Sequence, residues 1–360
     1  MSLPYLHPYL GLSNGLNTLH AAGGGGGAVG GWKELGRTTL GGTSDNITVS
    51  SLADKRYYMV LGYSINSSTP QQTLRFNGDT GTNYARRWSQ DGAADATGTS
   101  SNRISTGAVS ANGSNGLTVG YISNLSSKEK LVISHGGDTY TAGATTAPER
   151  YESVGKWANT SNAINSITVH NPTVGDFDTG SEVVVLGWDP ADDDTNGFWQ
   201  ELASADLSGG ASDTLSSGTF TAKKYLWVQA WVKATGGTIR GNIRLGNSTL
   251  DTGNNYSRRQ STNGSTDSTG TSESFTGANN NMSVNAFINF FVINNTSNEK
   301  LVVGHIVFTN TAGAGAAPNR EEFVGKWANT SNQADILAIY NSGGTGDFAT
   351  SSFIKVWGAD

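Results

Sequence analysis

Histidines offer the most chemistry in this 360-residue sequence, because a neutral imidazole can act as a general base or bind a metal ion. The chain has five, at positions 7, 20, 135, 170 and 305. Only His135 and His305 stand in matched places of two similar halves of the chain. Each shares strand parity with apolar neighbours such as Ile133 and Val303, which predicts an inward-pointing side chain. We therefore interpret both as buried, neutral, hydrogen-bonded imidazoles and not as catalytic groups.

Carboxylates are the second group to weigh, because two of them a few ångströms apart suffice for glycoside hydrolysis. Acidic residues in matched or loosely matched places are Glu149, Glu152, Glu321, Glu322, Asp176 and Asp347. The last two stand in Gly-Asp-Phe, a setting typical of turns in which Asp accepts backbone N–H bonds. No nucleophile elbow, zinc-protease motif or phosphate loop is present. The sequence therefore predicts no catalytic residues and a protein that is not an enzyme.

An acidic stretch resembles the opening of a calcium-binding loop. Residues 192–197 read DDDTNG, which fits the pattern Asp-x-Asp-x-Asn-Gly. The twelfth position would be Ala203, which cannot supply the carboxylate that such loops need. We favour a solvated acidic turn, and calcium binding by Asp192, Asp194 and Asn196 stays open. Because the chain has no cysteine, it has no thiolate metal site, and we predict no metal and no cofactor.

The elements that must position these residues occur twice. The sequence VGKWANTSN occupies 154–162 and returns at 324–332. Upstream, NYARR at 83–87 matches NYSRR at 255–259 in four of five residues. The two copies of VGKWANTSN start 170 residues apart, at 154 and 324. A repeat of that length indicates tandem domains, because solenoid repeats run to only about 20–50 residues. The sequence predicts an N-terminal arm at 1–30 and two domains, at 31–190 and 198–360, joined by a polar, acidic linker.

Each half reads as a series of short strands. Runs of five to eight β-branched or aromatic residues, such as 57–63, 130–135 and 182–188, are bounded by Gly, Asn, Asp and Ser. This pattern is typical of β-strands and turns, and no window shows a helical stripe. About eight strands per half favour a two-sheet sandwich, with jelly-roll topology as the preferred order. The predicted fold class is all-β, two tandem β-sandwich domains from an internal duplication, plus an extended N-terminal arm.

The first 22 residues are too rich in leucine and tyrosine for a plain solvated tail, and a glycine run follows them at 23–27. Glycine runs of this kind are flexible tethers. We therefore predict a docking peptide that lies on another subunit. Its anchors would be Tyr5, Tyr9, Leu10 and Leu12. The alternative is an arm that folds back on its own first domain.

Two arginines and a tryptophan are candidates for surface binding. Arg86 and Arg87 have matched arginines in the second half and could grip an acidic glycan or a neighbouring subunit. The competing interpretation is a strand edge that charge protects from aggregation. Trp88 is matched by Gln260, so the fold does not need it. If exposed, Trp88 could contact a sugar or a protein partner.

Charge and hydropathy exclude two classes of partner. The net charge is −6 and the isoelectric point is near 5.4, which argues against binding nucleic acid through its phosphates. No run of 18 apolar residues exists, so we predict no membrane span.

The leader and several turns carry a resemblance to a known group of proteins. Two segments resemble structural proteins of tailed-bacteriophage virions. The first is the glycine-rich leader with the sequence GWKELGRTTL that follows it at 31–40, and the second is LRFNGDTGTNY at 74–84. The ending GKWANTSN, followed by GDF, is similar to phage fibre and decoration proteins. The second half departs from the LRFNGD pattern at 243–248, where it reads IRLGNS.

The resemblance implies a non-enzymatic protein on the virion surface, in capsid decoration, in a tail fibre or in host attachment. Its partners would be other capsid or tail proteins, contacted through residues 1–22. The resemblance also implies a homo-oligomer, with a trimer as the first expectation. The alternatives are a lectin-like module that binds a host-surface glycan and a cellular surface-layer or filament subunit.

Overall fold

The structure is a computed structural model, and it describes residues 31–109, 113–190, 192, 197–276 and 281–360. The predicted anchors Tyr5, Tyr9, Leu10 and Leu12 lie outside the described residues. Every named element of the described part is a β-strand. None of its residues forms a helix long and apolar enough to cross a membrane.

The described residues of the first half form twelve strands. They are β1 (Lys33–Thr39), β2 (Asn46–Val49), β3 (Tyr57–Ile65), β4 (Gln71–Phe76), β5 (Tyr84–Gln90), β6 (Ala96–Ser101), β7 (Ile104–Val109), β8 (Asn115–Ser123), β9 (Lys130–Asp138), β10 (Glu149–Trp157), β11 (Ile167–His170) and β12 (Glu182–Trp188).

The described residues of the second half form fourteen strands, three of them only two residues long. They are β13 (Gln200–Asp206), β14 (Thr214–Thr219), β15 (Tyr225–Thr235), β16 (Asn242–Asn247), β17 (Thr249–Leu250), β18 (Tyr256–Thr262), β19 (Ser268–Ser272), β20 (Phe275–Thr276), β21 (Asn285–Ile293), β22 (Lys300–Thr309), β23 (Asn319–Trp327), β24 (Ile336–Tyr340), β25 (Asp347–Phe348) and β26 (Phe353–Ala359).

Eight strands of each half follow the jelly-roll order. In the first half the antiparallel sheets run β1-β12-β3-β8 and β2-β11-β4-β7. The second half repeats this order as β13-β26-β15-β21 and β14-β24-β16-β20. In each of these four sheets, the strand that comes first in the chain pairs with the one that comes last, as in β1-β12 and β2-β11. This pairing is expected when a long strand pair wraps around a barrel-like core. The predicted fold class, two tandem jelly-roll sandwiches, is therefore confirmed.

Four further strands extend the larger sheet of each half. They continue the first sheet as β9-β10-β5-β6 and the second as β22-β23-β18-β19. The expectation of about eight strands per half is therefore too low. The extra strands matter because they carry the polar groups described below.

The two larger sheets pack face to face between the two smaller sheets. Residues along β3 alternate accordingly: Tyr58 and Val60 point into the first sandwich, whereas Met59 and Leu61 point towards the second. Both faces of this strand are covered, so it is a continuous apolar run without polar alternation. The chain therefore has an apolar core inside each sandwich and a third one between them.

A tryptophan closes the end of each sandwich. Trp157 is buried, and its Nε1 donates a hydrogen bond to Asp79 at 2.7 Å. The Lys156-Trp157 pattern predicts the stem of Lys156 over this ring, but the lysine found there is Lys130 of the neighbouring strand, with Nζ 5.5 Å from the ring centroid. Lys156 directly precedes Trp157 in the strand, so it points to the other face, where it pairs with Glu129. The second half repeats the arrangement with Trp327, Asp251 and Lys300. This repetition supports a scaffold role for the motif.

Candidate functional site

The two matched histidines meet between the sandwiches. His135 on β9 and His305 on β22 face each other, with ring centroids 4.5 Å apart. Both side chains point away from the jelly-roll cores, so the prediction that they point into their own sandwich is wrong. The strands that carry them have a second face, which is turned towards the other domain. His135 is buried as predicted, whereas His305 is exposed to a cleft between the two larger sheets.

Antiparallel pairing places a glutamate beside each histidine. Glu152 on β10 is the cross-strand neighbour of His135, and Glu322 on β23 is that of His305. The Nε2 atom of His135 lies 3.9 Å from Oε1 of Glu152. Because directly paired residues project from the same face of a sheet, each domain presents one imidazole and one carboxylate to the other.

Arg150 on β10 connects these acids. Its Nη1 atom lies 2.6 Å from Oε1 of Glu152 and 3.7 Å from Oε2 of Glu322. The same guanidinium donates two hydrogen bonds to Asp267 of the second domain, at 2.6 and 3.1 Å. A bidentate, charge-assisted pair of this kind fixes the direction of the guanidinium.

Burial keeps His135 neutral. Desolvation, followed by the nearby His305 and Arg150, lowers the pKa of His135 well below its ordinary value. Desolvation within the cleft also lowers the pKa of His305. In the neutral form each ring has a nitrogen lone pair available, so the pair is suited to accept a hydrogen bond or a metal ion and unsuited to hold an anion.

On one side of this histidine pair the two domains are in close contact. The backbone of Gly137 lies against the side chain of Val324. The Lys326 ammonium donates to the carbonyl oxygens of Thr139, at 3.0 Å, and Thr141. This contact buries Val324 and Lys326 completely.

On the other side the matched residues stay exposed. Val154 is the counterpart of Val324 in the first domain and is 48% exposed. Ile133, the counterpart of the buried Val303, is 63% exposed. In the second domain Val307, the counterpart of Gly137, is 41% exposed. The two copies therefore meet asymmetrically, because one part of this surface is buried against the other domain and the matched part is exposed.

The open half forms a cleft of about 350 Å³. Its apolar walls include Tyr121 and Ile133 from the first domain and Phe291 from the second. Its polar groups include the two histidines, the two glutamates, Arg87 and Asn289. This combination of an apolar wall with a few convergent polar groups is typical of a ligand-binding cleft.

The residues predicted to bind at the surface divide between the two faces of β5. Arg87 is exposed, lines the cleft and pairs with Asp95 at 3.4 Å. Arg86 and Trp88 are half-buried, with the guanidinium carbon of Arg86 4.9 Å from the Trp88 ring centroid. Strand alternation places these two on the face opposite to Arg87. The structure thus brings Arg87 into the candidate site. Trp88 also contributes to the lining of the cleft, although its indole packs against Arg86.

The acidic linker is described at only some of its positions. Asp192 accepts a hydrogen bond from Lys55 at 2.5 Å and another from the backbone N–H of Asp189 at 2.9 Å. Asp194 and Asn196 lie outside the described residues. Calcium binding by these three residues therefore stays a hypothesis, and Asp192 already has an ammonium partner.

Sequence reasoning missed Tyr121 in the wall of this cleft and the ion pair of Arg150 with Asp267 beside it. Arg150 and Arg320 do stand in matched places, within the Pro-x-Arg pattern that precedes each VGKW motif. That signal indicates a shared role, but the ion pair to Asp267 exists only in the first copy. Only the packing of one domain on the other creates the difference.

Comparison with known proteins gives little further information. No family model matches the chain, and no curated protein matches it. Among solved structures, domains LG4-5 of the mouse laminin alpha1 chain are 10% identical over 93% of this chain and 91% of theirs, with a TM-score of 0.18. The LG1-3 region of the laminin alpha2 chain is 11% identical over 87% of this chain and 64% of its own, with a TM-score of 0.20. Likenesses at these TM-scores carry no argument about function.

Proposed function

We propose that the protein is a non-enzymatic structural protein of a virion surface, where it decorates the capsid or forms part of a tail or fibre. The resemblance of its leader and turns to phage virion proteins suggests this location. The observation that carries the proposal is the apolar core between the two domains, because it makes a duplicated fold into one block instead of two independently mobile domains.

That core contains large side chains from both halves. Leu61 and Leu186 of the first domain and Trp199, Phe291 and Val303 of the second are members of one buried cluster. Burying apolar surface contributes about 25 cal/mol per Å², so separating the domains would expose much of the third core at a large cost. A block of this kind suits a load-bearing or spacing role on a particle.

The ionic groups at the interface serve packing. Glu182 of the first domain accepts hydrogen bonds from Lys224 at 2.8 Å and from Tyr225 at 2.7 Å, both in the second domain. Arg259 reaches back to Asp91 at 3.0 Å. Charges that are paired across the boundary hold the register of the two domains, which supports an architectural role.

The N-terminal arm would attach this block to the particle. The described chain begins at Gly31, which packs against the Trp188 ring. Trp32 lies 6.4 Å from the same ring, between centroids. The arm therefore leaves from a fixed point at the edge strand β1, and its tether would allow the apolar anchors to reach a neighbouring subunit.

Co-sedimentation with purified virions tests the proposal. The full-length chain carrying Tyr5→Ala, Tyr9→Ala, Leu10→Ala and Leu12→Ala should lose incorporation into particles while keeping the folded two-domain block. A control with Asn14→Ala and Asn17→Ala in the same arm should be incorporated like the unmodified chain. Equal incorporation of both variants would contradict docking through the arm. Absence of the unmodified chain from particles, with a filament or cell-surface lattice in their place, would favour the cellular alternative.

A glycan-binding role is the second candidate, because an exposed aromatic and polar groups share the cleft. Tyr121 is 38% exposed and stands near Arg87 and Asn289 in the cleft wall. Sugars bind through stacking on such rings and hydrogen bonds to such polar groups. Binding of a glycan by the intact chain that Tyr121→Ala abolishes would support this role.

A further inference from the structure

The histidine pair and one glutamate converge on a single point. His135, His305 and Glu152 each bring one ligand atom to within 4.8 Å of the others. Two imidazole nitrogens and a carboxylate oxygen form a donor set that suits Zn²⁺ and related divalent transition metals. None of the sequence motifs predicts such a set, because its members come from both domains.

One of these donors lacks a partner. The Nε2 atom of His135 has no hydrogen-bond partner among the described residues, and its side chain is only 9% exposed. A buried polar atom left unpaired costs roughly 1–3 kcal/mol. The Oε1 atom of Glu152 faces it at 3.9 Å and forms an ion pair with Nη1 of Arg150 at 2.6 Å. A cation between the two would satisfy the imidazole nitrogen and share the carboxylate with Arg150.

We propose that His135, His305 and Glu152 bind one divalent transition-metal ion, of which Zn²⁺ is the prototype, and that this ion links the two domains. Donor atoms around zinc lie about 2.0–2.2 Å from the metal and therefore roughly 3.3 Å from each other. The ligand atoms of His135 and Glu152 lie 3.9 Å apart, and all three lie within 4.8 Å of one another. Side-chain rotations that bring them together by up to about 1.5 Å would reach the zinc spacing.

The charges around the site accommodate a cation. The ion pairs around the site contain three carboxylates and two guanidiniums. The carboxylates are Glu152, Glu322 and Asp267, and the guanidiniums are Arg150 and Arg320. With neutral imidazoles this leaves one negative charge in excess. Arg150 lies close to Glu152, but its two hydrogen bonds to Asp267 hold it in place independently of Glu152.

The cleft supplies the entry path. His305 is exposed to it, and its lining includes the solvent-exposed side chains of Asp95 and Arg87. An ion bound at its floor would leave a coordination position towards solvent, as at zinc sites with three protein ligands. Because the ligands come from both sandwiches, metal binding would add a cross-link on the side where the domains are otherwise apart.

Titration of the full-length chain, freed of metal by a chelator, with ZnCl₂ tests the proposal by calorimetry. We expect one Zn²⁺ per chain and an increase in the melting temperature. Co²⁺ should give the visible absorption bands of a four- or five-coordinate site. His135→Ala and His305→Ala should each lower the Zn²⁺ affinity by more than roughly 100-fold. Changes to groups that only hydrogen-bond to a ligand typically lower it by roughly 10–100-fold.

Two control variants and one conservative test variant keep the test decisive. His170→Ala changes a histidine on β11 whose Nδ1 lies 3.0 Å from Asn46, and the double variant His7→Ala, His20→Ala removes those of the arm; both should bind Zn²⁺ like the unmodified chain. Glu152→Gln keeps the size of the side chain and should weaken binding even if an alanine variant fails to fold. Unchanged Zn²⁺ affinity in His135→Ala, His305→Ala and Glu152→Gln, or no binding by the unmodified chain, would overturn the proposal.

Discussion

Arg150 of the first sandwich and Asp267 of the second form a two-point ion pair, with hydrogen bonds of 2.6 and 3.1 Å and side chains that are 4% and 1% exposed. The matched positions make no such contact. Asp95, the counterpart of Asp267, pairs with Arg87 of its own domain at 3.4 Å, and both side chains are more than half exposed. Asp95 and Asp267 therefore have different partners although they occupy matched positions, because only Asp267 is covered by the other domain.

The first prediction concerns this pair. Asp267→Ala should destabilise the protein by about 3–5 kcal/mol, because it leaves a buried guanidinium without its main partner. Asp95→Ala removes the matched, exposed acid and should cost less than about 1 kcal/mol. Urea unfolding of both variants measures the difference. Equal small losses would mean that the domains do not meet at Arg150 in solution.

The second prediction concerns the asymmetry of the interface. Val324→Ala should cost roughly 2–3 kcal/mol because it opens a cavity between the domains. Val154→Ala changes the matched valine in the open cleft and should alter stability by less than about 0.5 kcal/mol. Thermal unfolding of the two variants checks this. A comparable loss in Val154→Ala would indicate that the cleft is closed in solution.

Strand positions, turns and the fold class follow from the sequence because they depend on local patterns. Residues 57–63 read YYMVLGY, an apolar run rich in aromatic residues, and they form most of β3. The same continuous run also contains the information that both faces of the strand are buried. It does not indicate that the second face meets another domain instead of a helix or a partner.

The candidate site was beyond sequence reasoning for a related reason. Strand parity correctly places His135 on the same face as Ile133, yet Ile133 is 63% exposed and His135 is buried. Which residues of one face are covered depends on the rotation of one rigid domain against the other. No local pattern encodes that rotation, so the meeting of His135 and His305 emerges only from the structure.

A third prediction uses the acid beside Arg150. Burial, together with Asp91 and Asp138, raises the pKa of Glu149 from 4.5 to about 7. The unfolded chain releases this proton near pH 4.5, whereas the folded chain keeps it until about pH 7. The contribution of Glu149 to stability is therefore present below pH 4.5 and is lost as the pH rises to 7.

Glu149→Gln removes this titration. The variant should be more stable than the unmodified chain at pH 8, and the difference should shrink towards pH 4.5. Urea unfolding at several pH values between 4 and 8 measures it. A stability difference that does not change with pH would show that Glu149 titrates normally in the folded protein.

A fourth prediction concerns the tryptophan at the end of each sandwich. Asp79→Ala and Asp251→Ala each leave a buried indole N–H without its acceptor, so each should cost about 1–3 kcal/mol. Asp79→Asn keeps an acceptor oxygen and should cost less than Asp79→Ala. Denaturant unfolding compares the three variants. A loss in only one of the two alanine variants would contradict the shared scaffold role of the motif.

The most direct test of the central claim is a cryo-electron microscopy map of the intact virion at a resolution that traces this chain. The proposed function predicts the two sandwiches packed as one block on the particle surface, with residues 1–22 lying on a neighbouring capsid or tail subunit. Residues 1–22 folded over their own first domain, or a particle without this chain, would contradict it.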